Sequence, residues 1–565
     1  MKKCPQCGRE YDVSMMFCLD DGTELLYGPG TVDEPQTAIL HPADGSGEAP
    51  TRAQIHTPEQ TAVLPSGVAD VPKRGFDKRL LAAPIVLAVM VLGGFFGYRY
   101  LTPADSGQIN SIAVLPFQNK SGDANSEYLS DGLAESLIYR LSQLPNLKVS
   151  PTSSVIRYKG KDTEIAKIAS ELGVDAVMTG RLAQIGDNLT ISVELVDVRN
   201  NKLLWGEQYE RKMSELLATQ REIATEITNK LKLKLSGESE QKLAKKYTVN
   251  SEAFQLYLKG RYFWNKRTLE NIRKSIEQFK AAAEIDSNYA LAYAGLADSY
   301  AVLPFYGLPS TEVLPQARAN AIRALEIDDS LSEAHTSLAF INTNLWNWAE
   351  AEKGYLRAIE LNPNYPHAHK WYGDHLGNLG RLNESLREHK RAEELEPLSL
   401  IVILNVAERY LALGDLKAAL EQCQRAVDLD PNWYFARQLL SLIYLKQGRN
   451  AEALAEAEKS VDLSNRQSWP LGVLGYIYAQ TGRRSEALTV VKELQEKYSK
   501  REASGNDIAR VYLGLGEKEQ AFAWLEKDFR SRDSTIAFWL YQVPLISLRE
   551  DPRFKDLVAR MGMTE

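Results

Sequence analysis

Apolar and polar residues follow three different patterns along the chain. Residues 80–98 carry no formal charge, whereas apolar positions in residues 109–235 recur first with strand-like and then with helix-like spacing. From residue 251 onwards the apolar positions have helical spacing within a repeating unit of 34 residues. The three patterns predict a membrane helix, an α/β domain and an all-α repeat array.

The uncharged segment, residues 80–98, is long enough to cross a bilayer. In a helix it reaches roughly 28 Å, close to the hydrocarbon thickness of about 30 Å. Four Lys or Arg residues lie in 73–79 and only Arg99 follows closely, which predicts a cytoplasmic N-terminus and exported C-terminal domains in the inner (cytoplasmic) membrane. A cleaved signal peptide would lie nearer the N-terminus, and a core helix would have a polar face. Gly93 and Gly97 form a G-x-x-x-G pair that allows a homodimer, although such pairs also occur in spans that do not dimerise.

Three of the four cysteines lie within the first eighteen residues and point to a metal site. The segment 1–27 contains C-P-Q-C-G and C-L-D-D-G, two similar turns that resemble the knuckles of a zinc ribbon with one thiolate replaced. The predicted ligands of a structural Zn²⁺ are Cys4, Cys7, Cys18 and Asp21. Asp20 or water are alternatives for the fourth ligand, and a metal-free remnant or redox cysteines are alternatives for the whole segment. Metal binding would supply most of the folding free energy of so small a domain.

Residues 28–79 are rich in Pro, Thr, Ala and Gly and lack a sustained period, so we expect a disordered cytoplasmic tether. Within it, Q-T-A-I-L at residues 36–40 recurs as Q-T-A-V-L at 60–64. Docking or phosphorylation at Thr37 and Thr61 is one interpretation. Coincidence in a segment of biased composition is the other.

The overall composition excludes some classes of function. A net charge of −7 and a pI near 5.8 argue against a body that mainly binds nucleic acid, because phosphate neutralisation needs clustered cations. The cysteine distribution excludes a disulfide framework for the C-terminal part, where Cys423 is expected to be a small buried residue.

Residues 109–235 predict an α/β domain. The expected elements are a strand at 112–117, a helix at 127–144, a strand at 147–150, then helix, strand, hairpin and strand, and a closing helix at 215–233. Leu189, Ile191, Val193 and Leu195 alternate with mostly polar residues, as in a strand with one buried face. Trp205 is expected in the core. Residues 119–123 lack the glycines of a phosphate loop and predict a turn.

The segments IAVLPFQNKSGD, YLSDGLAESLIYRLS, ELGVDAVMTGRL and LLWGEQYERK resemble the TolB-like amino-terminal domain, related to the FlgO type. This resemblance implies an extracytoplasmic interaction or assembly domain and supplies no catalytic residues. In similar proteins the domain often precedes tetratricopeptide repeats (TPRs).

The repeating part, residues 251–533, resembles the tetratricopeptide repeat. Helix-end segments such as ALEIDDS and AIELNPN begin 34 residues apart, at Ala324 and Ala358. We expect about eight helical pairs in a right-handed superhelix, an eight-residue insertion as a loop at 304–312, and a cap at 534–565 over the apolar end.

The concave groove of such an array binds peptides or partner proteins. Polar residues on the first helices are the groove candidates, with a solvated polar face as the alternative: Asn342, Asn344, Lys370, Asp374, Asn378, Asn405, Arg409 and Arg437. Five histidines between residues 335 and 389 invite a metal site, but their repeat phases differ and packing or surface roles are favoured.

The whole chain therefore predicts a multidomain membrane adaptor that binds proteins through its exported TPR array. A transmembrane signal transducer, coupling exported partner binding to the cytoplasmic zinc ribbon, is the alternative. No nucleophile elbow, phosphate loop or metalloprotease motif indicates an enzyme.

Overall fold

The structure, a computed structural model of the full chain, describes residues 2–3, 10–11, 109–123, 126–161, 163–306, 308–532 and 536–563. The chain forms two compact units, Met1–Leu101 and Thr102–Glu565. In the first unit, strand β1 (Lys2–Lys3) pairs antiparallel with β2 (Glu10–Tyr11). The predicted zinc ligands, tether and membrane segment lie outside the described residues. Within the described ranges, every helix is too short or too polar to cross a bilayer.

One mixed sheet forms the core of the second unit's N-terminal part. Its strands are β3 (Ser111–Val114), β4 (Gln118–Asn119), β5 (Lys148–Val149), β6 (Ala176–Ile185), β7 (Asn188–Asp197) and β8 (Lys202–Lys212). The order is β5-β3-β6-β7-β8, and β4 pairs with β6 beyond the end of β3. Strands β5, β3 and β6 run parallel, whereas β6, β7 and β8 form antiparallel hairpins.

The predicted periodicities are confirmed in this domain. The alternating apolar residues of β7 are at most 1% exposed, whereas Glu194 on the opposite face is exposed. Leu133, Leu137 and Leu141 of helix α1 (Glu127–Ser142) are fully buried. Trp205 on β8 lies in the same core. One face of each element therefore lies in the core of the domain, as its sequence indicates.

Four further helices complete the α/β domain. They are α2 (Thr152–Val155), α3 (Ile165–Leu172), α4 (Leu216–Lys230) and α5 (Gly237–Ala244). Helix α4 packs against both α1 and β8. A short linker, residues 245–250, then leads to the first helix of the repeat array.

Eight helical pairs follow one another from Ser251 to Arg530. They are, as pairs 1 to 8, α6 (Ser251–Asn265) with α7 (Leu269–Ile285), α8 (Ala290–Ala301) with α9 (Ser310–Ile327), α10 (Ser332–Asn344) with α11 (Trp348–Leu361), α12 (Pro366–Asn378) with α13 (Leu382–Leu395), α14 (Leu400–Leu413) with α15 (Leu416–Leu429), α16 (Tyr434–Lys446) with α17 (Asn450–Leu463), α18 (Ser468–Gln480) with α19 (Arg484–Ser499), and α20 (Gly505–Gly514) with α21 (Lys518–Arg530). Each helix packs mainly on its chain neighbours, which makes the region a TPR-like solenoid.

The insertion lies slightly earlier than predicted. Helix α8 ends at Ala301 and α9 begins at Ser310, so Glu312 belongs to the first turn of α9 instead of the loop. Pro309, with an extended backbone, ends the loop, and an acidic side chain in the next turn is favourable beside the positive end of the helix dipole. Within the insertion, Leu303–Tyr306 forms a 3₁₀ turn.

The C-terminal segment contacts more of the array than the end that a cap would cover. It comprises α22 (Ile536–Leu540), a 3₁₀ turn at Leu545–Leu548 and α23 (Pro552–Arg560). Arg560 forms an ion pair with Glu526 of pair 8 at 2.7 Å. The segment also reaches pairs 2 and 3, because the rings of Phe305 and Phe340 lie 6.1 and 6.3 Å from that of Phe538.

The curvature of the array explains this long reach. Trp346, between the helices of pair 3, stacks on Phe529 of pair 8 with ring centroids 5.8 Å apart. The Trp348 indole N–H donates to the carbonyl of Met561 at 2.8 Å. The superhelix thus brings its last pair beside its third, and the C-terminal segment fills the space between them.

The α/β domain and the array share one hydrophobic core. Phe254 and Leu258 of α6 belong to the core built around α1 and the sheet. Gly132 of α1 permits this contact, because a Cβ there would lie 2.9 Å from the Leu258 Cβ. The Arg261 guanidinium binds Glu135 of α1 at 2.6 Å. The two parts therefore belong to one compact unit.

Candidate functional site

The residues that follow the second helices of pairs 1 to 4 face the α/β domain and its linker. Thr248 donates to Asp286 at 2.6 Å, and Lys245 binds Asp328 at 2.7 Å. Farther along the array, Asn364 donates to the Pro145 carbonyl at 3.2 Å and Ser153 donates to Glu396 at 2.7 Å. The domain thus lies along one edge of the first half of the array.

A cavity of about 400 Å³ lies between the α/β domain and the first helices of pairs 1 to 4. Its walls come from α1, α2, α4, the linker and α6 on one side, and from α8, α10 and the start of α12 on the other. Aromatic rings form much of the lining, among them Phe254, Tyr257, Trp264, Tyr289 and Tyr365. The volume falls within the range of about 300–1,000 Å³ that small-molecule sites occupy.

Three charged groups of the cavity wall pair with one another. Arg261 donates to Glu135 at 2.7 Å, and its guanidinium lies 4.0 Å from Asp298. Burial opposes the charge of Arg261, but the two carboxylates outweigh it and raise its pKa. Burial raises the pKa of Asp298, which also accepts a hydrogen bond from Ser337.

Arg267 lies over an aromatic ring of the cavity wall. Its guanidinium carbon lies 3.4 Å from the centroid of the Trp264 ring. Like Arg140 and Arg221 of the same lining, it has no carboxylate of the described residues within ion-pair distance. Arg267 is exposed at the surface, and desolvation of its guanidinium by the surrounding chain together with the nearby Arg261 lowers its pKa to about 10, so the side chain remains charged at pH 7. Its donors are thus available to a ligand.

Two polar atoms of the cavity wall lack partners among the described residues. The Trp264 Nε1 and the Glu333 Oε1 are both buried without a hydrogen bond. The other Glu333 oxygen accepts from the Tyr139 hydroxyl at 3.3 Å. Burial raises the pKa of Glu333 to about 7. Unpartnered buried polar atoms are rare in proteins and cost free energy when nothing binds them.

Three of the predicted groove residues form one cluster on pairs 4 and 5. Lys370 binds Asp374 at 3.0 Å one turn along α12, and Asn405 of α14 donates to the other Asp374 oxygen at 2.9 Å. The His389 imidazole lies 3.5 Å from Asp374, and burial lowers its pKa to about 3. Lys370 and Asp374 keep 17% and 23% of their side-chain surface exposed, so a partner can reach both.

The other five predicted groove residues are too buried to form a solvated polar face. Asn342, Asn344, Asn378 and Arg409 are at most 7% exposed. The Asn344 amide donates to the Phe340 carbonyl at 2.8 Å. Arg437 reaches Glu456 at 3.1 Å and the Pro431 carbonyl at 3.0 Å. These side chains bridge neighbouring helices or lie between them, which the repeat phase alone did not reveal.

The histidines have different environments. His369, His375 and His389 are buried, and burial lowers the pKa of His375 to about 4. His375 contacts the Thr343 hydroxyl at 3.0 Å, and His369 pairs with Glu388 at 2.7 Å. No cluster of His, Cys, Asp or Glu suited to a metal ion occurs in the part of the chain that the structure describes.

The cavity was not expected from the sequence. Its signal is the stretch YLKGRYFWNKR at residues 257–267, in which aromatic and basic residues are interspersed along the end of α6 and just beyond it. The periodicity identifies which face of α6 is buried, but it cannot show that an α/β domain and three later first helices enclose the space beside that face.

Comparisons with known proteins divide the chain in the same way as the fold. Residues 108–226 match the family described as HilA/YgeH-like transcriptional regulator, second domain. Residues 403–432 and 436–467 match the tetratricopeptide repeat, and they coincide with pairs 5 and 6. The C-terminal region therefore contains TPRs, whereas the resemblance of the sheet domain to the TolB-like type stays a prediction.

Among curated proteins, a putative adenylate cyclase 3 of Rhizobium meliloti (strain 1021) is 31% identical over 245 residues. The match covers 43% of this chain and 42% of that protein, so the chain spans less than half of its relative.

Among solved structures, pilF of Pseudomonas aeruginosa is 20% identical, with 37% of this chain and 94% of that one covered and a TM-score of 0.30. A monomeric mutant of IFIT1 with Gppp-AAAA is 14% identical, with coverages of 56% and 88% and a TM-score of 0.38.

Proposed function

We propose that this protein is a membrane-anchored scaffold whose exported TPR array binds partner proteins. The observation that carries the proposal is the stack of eight helical pairs, two of which match the TPR family. Solenoids of this kind present long concave surfaces that bind peptides or protein domains. The uncharged segment 80–98 with its cationic N-terminal flank supports the anchor. The cysteine-rich head supports a zinc-binding cytoplasmic end, and no catalysis is part of the proposal.

The cluster of Lys370, Asp374 and Asn405 is the best-supported contact surface for a partner. It combines a cation, an anion and an amide on the first helices of two successive pairs, and it remains partly exposed. A partner peptide that supplies both a donor and an acceptor can bind there by exchanging hydrogen bonds with these groups. Each lost hydrogen bond to a charged group costs about 1.5–3 kcal/mol.

Affinity capture from detergent-solubilised membranes tests this function. We expect a partner captured by the full chain to be reduced roughly tenfold by Lys370→Ala. The matched control is Lys353→Ala on α11, where the lysine is 72% exposed and pairs only with Glu350 of its own helix. Loss of the partner with both variants, or with neither, would contradict binding at the cluster. A chain that captures no partner at all would contradict the scaffold.

A transmembrane signal transducer is the second candidate. Two of the similar proteins have regulatory names. The sheet domain matches a family named for transcriptional regulators, and the curated relative is named as a putative cyclase. Transduction requires a partner that prefers one of two states of the protein. Replacing residues 1–27 by an inert tag should then abolish a downstream response while partner capture persists. An unchanged response would favour the scaffold.

A further inference from the structure

The cavity between the α/β domain and pairs 1 to 4 has the properties of a built ligand site. It is concave, lined by aromatic rings and supplied with a small number of polar groups, as small-molecule sites are. The partner-binding surface at Lys370 does not use it, whereas the interface residues Thr248, Ser153 and Asn364 form part of its wall. Its polar and aromatic lining is suited to a ligand of its own.

The charged groups indicate what kind of molecule fits. Arg261 already holds Glu135, whereas Arg267 lies over the Trp264 ring with its N–H donors free of any carboxylate in the described residues. A guanidinium in this position matches a planar carboxylate with two parallel hydrogen bonds. The Trp264 Nε1, on a side chain that is 5% exposed, is a second donor without a partner.

The rest of the wall limits the charge and shape of the ligand. Glu135, Asp298 and Glu333 lie in the same cavity and would repel a molecule with several negative charges. The aromatic rings of Phe254, Tyr257 and others favour a flat apolar body, which stacks at low entropic cost. The buried, unpartnered Glu333 oxygen is suited to one further polar group of the ligand, such as a hydroxyl or an amine.

We propose that this cavity binds a small aromatic carboxylate, held by Arg267 at its acid group and by the aromatic wall at its ring. The ligand enters a site built jointly by the α/β domain and the first four helical pairs. Occupancy therefore stabilises the contact between these two parts, since any molecule that binds only the folded arrangement raises its free energy of unfolding.

The test uses the purified full chain in detergent and measures binding by saturation-transfer NMR and calorimetry. The probes are phenylacetate, 4-hydroxyphenylacetate and L-phenylalanine, with phenylacetamide and inorganic phosphate for comparison. We expect at least one of the aromatic acids to bind, and phenylacetamide and phosphate to bind at least roughly tenfold more weakly, because one lacks the charge and the other lacks the ring.

Two variants decide whether the site is the proposed one. Arg267→Met keeps an unbranched apolar stem and removes the charge, and it should weaken binding roughly tenfold or more. Trp264→Phe keeps a ring and removes the Nε1 donor, so a smaller loss is expected. Arg323→Met is the matched control, since Arg323 is an exposed residue of α9 that pairs with Glu326 and does not line the cavity.

The proposal is overturned if none of the acids binds a folded full chain. It is also overturned if phenylacetamide or phosphate binds as tightly as the acids, or if Arg267→Met binds like the unmodified protein. Far-ultraviolet circular dichroism of every variant identifies those that fold. If Arg267→Met does not fold, Arg267→Gln takes its place and is judged by the same criterion.

Discussion

Phe279 shows how closely single residues are fitted in the first two pairs. Its fully buried ring lies between Gly260 of α6 and Gly295 of α8. A Cβ at Gly295 would come within 2.6 Å of the ring, and Gly260 prevents the ring from retreating because a Cβ there would lie at 2.5 Å. The two glycines are therefore required by the close approach of three helices.

We expect Gly295→Ala to lower the free energy of unfolding by about 1–3 kcal/mol, as overpacking of a filled core does. Urea denaturation followed by circular dichroism measures the change. Gly237→Ala is the matched control, because a Cβ at the start of α5 meets no atom within 4 Å. Equal stability of the two variants would show that the Phe279 ring can move aside.

Glu333 makes stability depend on pH. Burial raises its pKa to about 7 from an ordinary value near 4.5, so the folded chain binds a proton that the unfolded chain has already released between these values. The free energy of unfolding contributed by this group therefore falls as the pH rises from about 4.5 to 7. The groups that face it are Tyr139, Asp298 and Arg261.

We expect Glu333→Gln to remove this contribution, so that the variant is more stable than the unmodified protein at pH 8 and no more stable at pH 4.5. Urea midpoints at a series of pH values measure the difference. A constant difference across the series would mean that Glu333 has an ordinary pKa in the folded chain.

The sequence identified apolar positions better than polar ones. Leu133, Leu189 and Cys423 are buried as their spacing or setting indicates. Asn344 and Arg437, predicted to line an open groove, instead bind the Phe340 carbonyl and Glu456. Period and phase fix the direction of a helix face, but they do not specify which nearby group a polar side chain binds. The partner of Asn344 is a carbonyl of its own helix, and that of Arg437 lies on the second helix of the same pair.

Among elements, the C-terminal segment differs most from its prediction. An end cap needs only the last pair, but this segment contacts pairs 2, 3 and 8 because the array curves back on itself. The apolar residues of this segment are evident in the sequence. The curvature is not, because it results from small rotations added over eight pairs.

Trp348→Phe tests the attachment of this segment. The variant loses the hydrogen bond to the Met561 carbonyl, at a cost of about 1 kcal/mol, and part of the ring contact. We expect trypsin to cleave faster at Arg549, Arg553 and Lys555, measured by mass spectrometry over time. Trp433→Phe, at the start of pair 6, should leave the cleavage rate unchanged. Equal rates in all three proteins would contradict a tight attachment.

The cysteine-rich head, residues 1–27, predicts a zinc site on the basis of its sequence alone. We expect the purified full chain to contain one zinc ion, and Cys7→Ser to lose it, because a site with a missing thiolate binds zinc more weakly. Elemental analysis measures the ratio. Cys423→Ala, in the fully buried core of pair 5, should retain the metal. Zinc-free protein from metal-replete cells would favour a redox role or a remnant.

At the scale of the whole molecule, the repeat ends serve two purposes. Asp286, Asp328 and Glu396 each follow directly on the second helix of a pair. In pairs 1, 2 and 4 they also bind the α/β domain or its linker. The order of the sheet domain and the repeat array was readable from the sequence, whereas this lateral contact was not, since it joins residues up to 243 positions apart.

The arrangement across the membrane can be tested on the intact chain. We expect a periplasmic reporter enzyme fused after Glu565 to be active and a cytosolic reporter at the same place to be inactive, because the cations before residue 80 retain the N-terminal side. Exchanging these cations for glutamine should reduce the difference between the reporters. Activity of the cytosolic reporter alone, or release of the protein by carbonate, would contradict the anchor.

The bond between Trp348 and Met561 joins residues 213 positions apart, and it has a mechanical consequence. A free spiral of helices lengthens smoothly under tension, each turn yielding a little. A spiral whose final turn is fastened to an early one resists until the fastening breaks. Tension applied between the first and last helical pairs of the array would therefore meet a stiff response first and a compliant one afterwards.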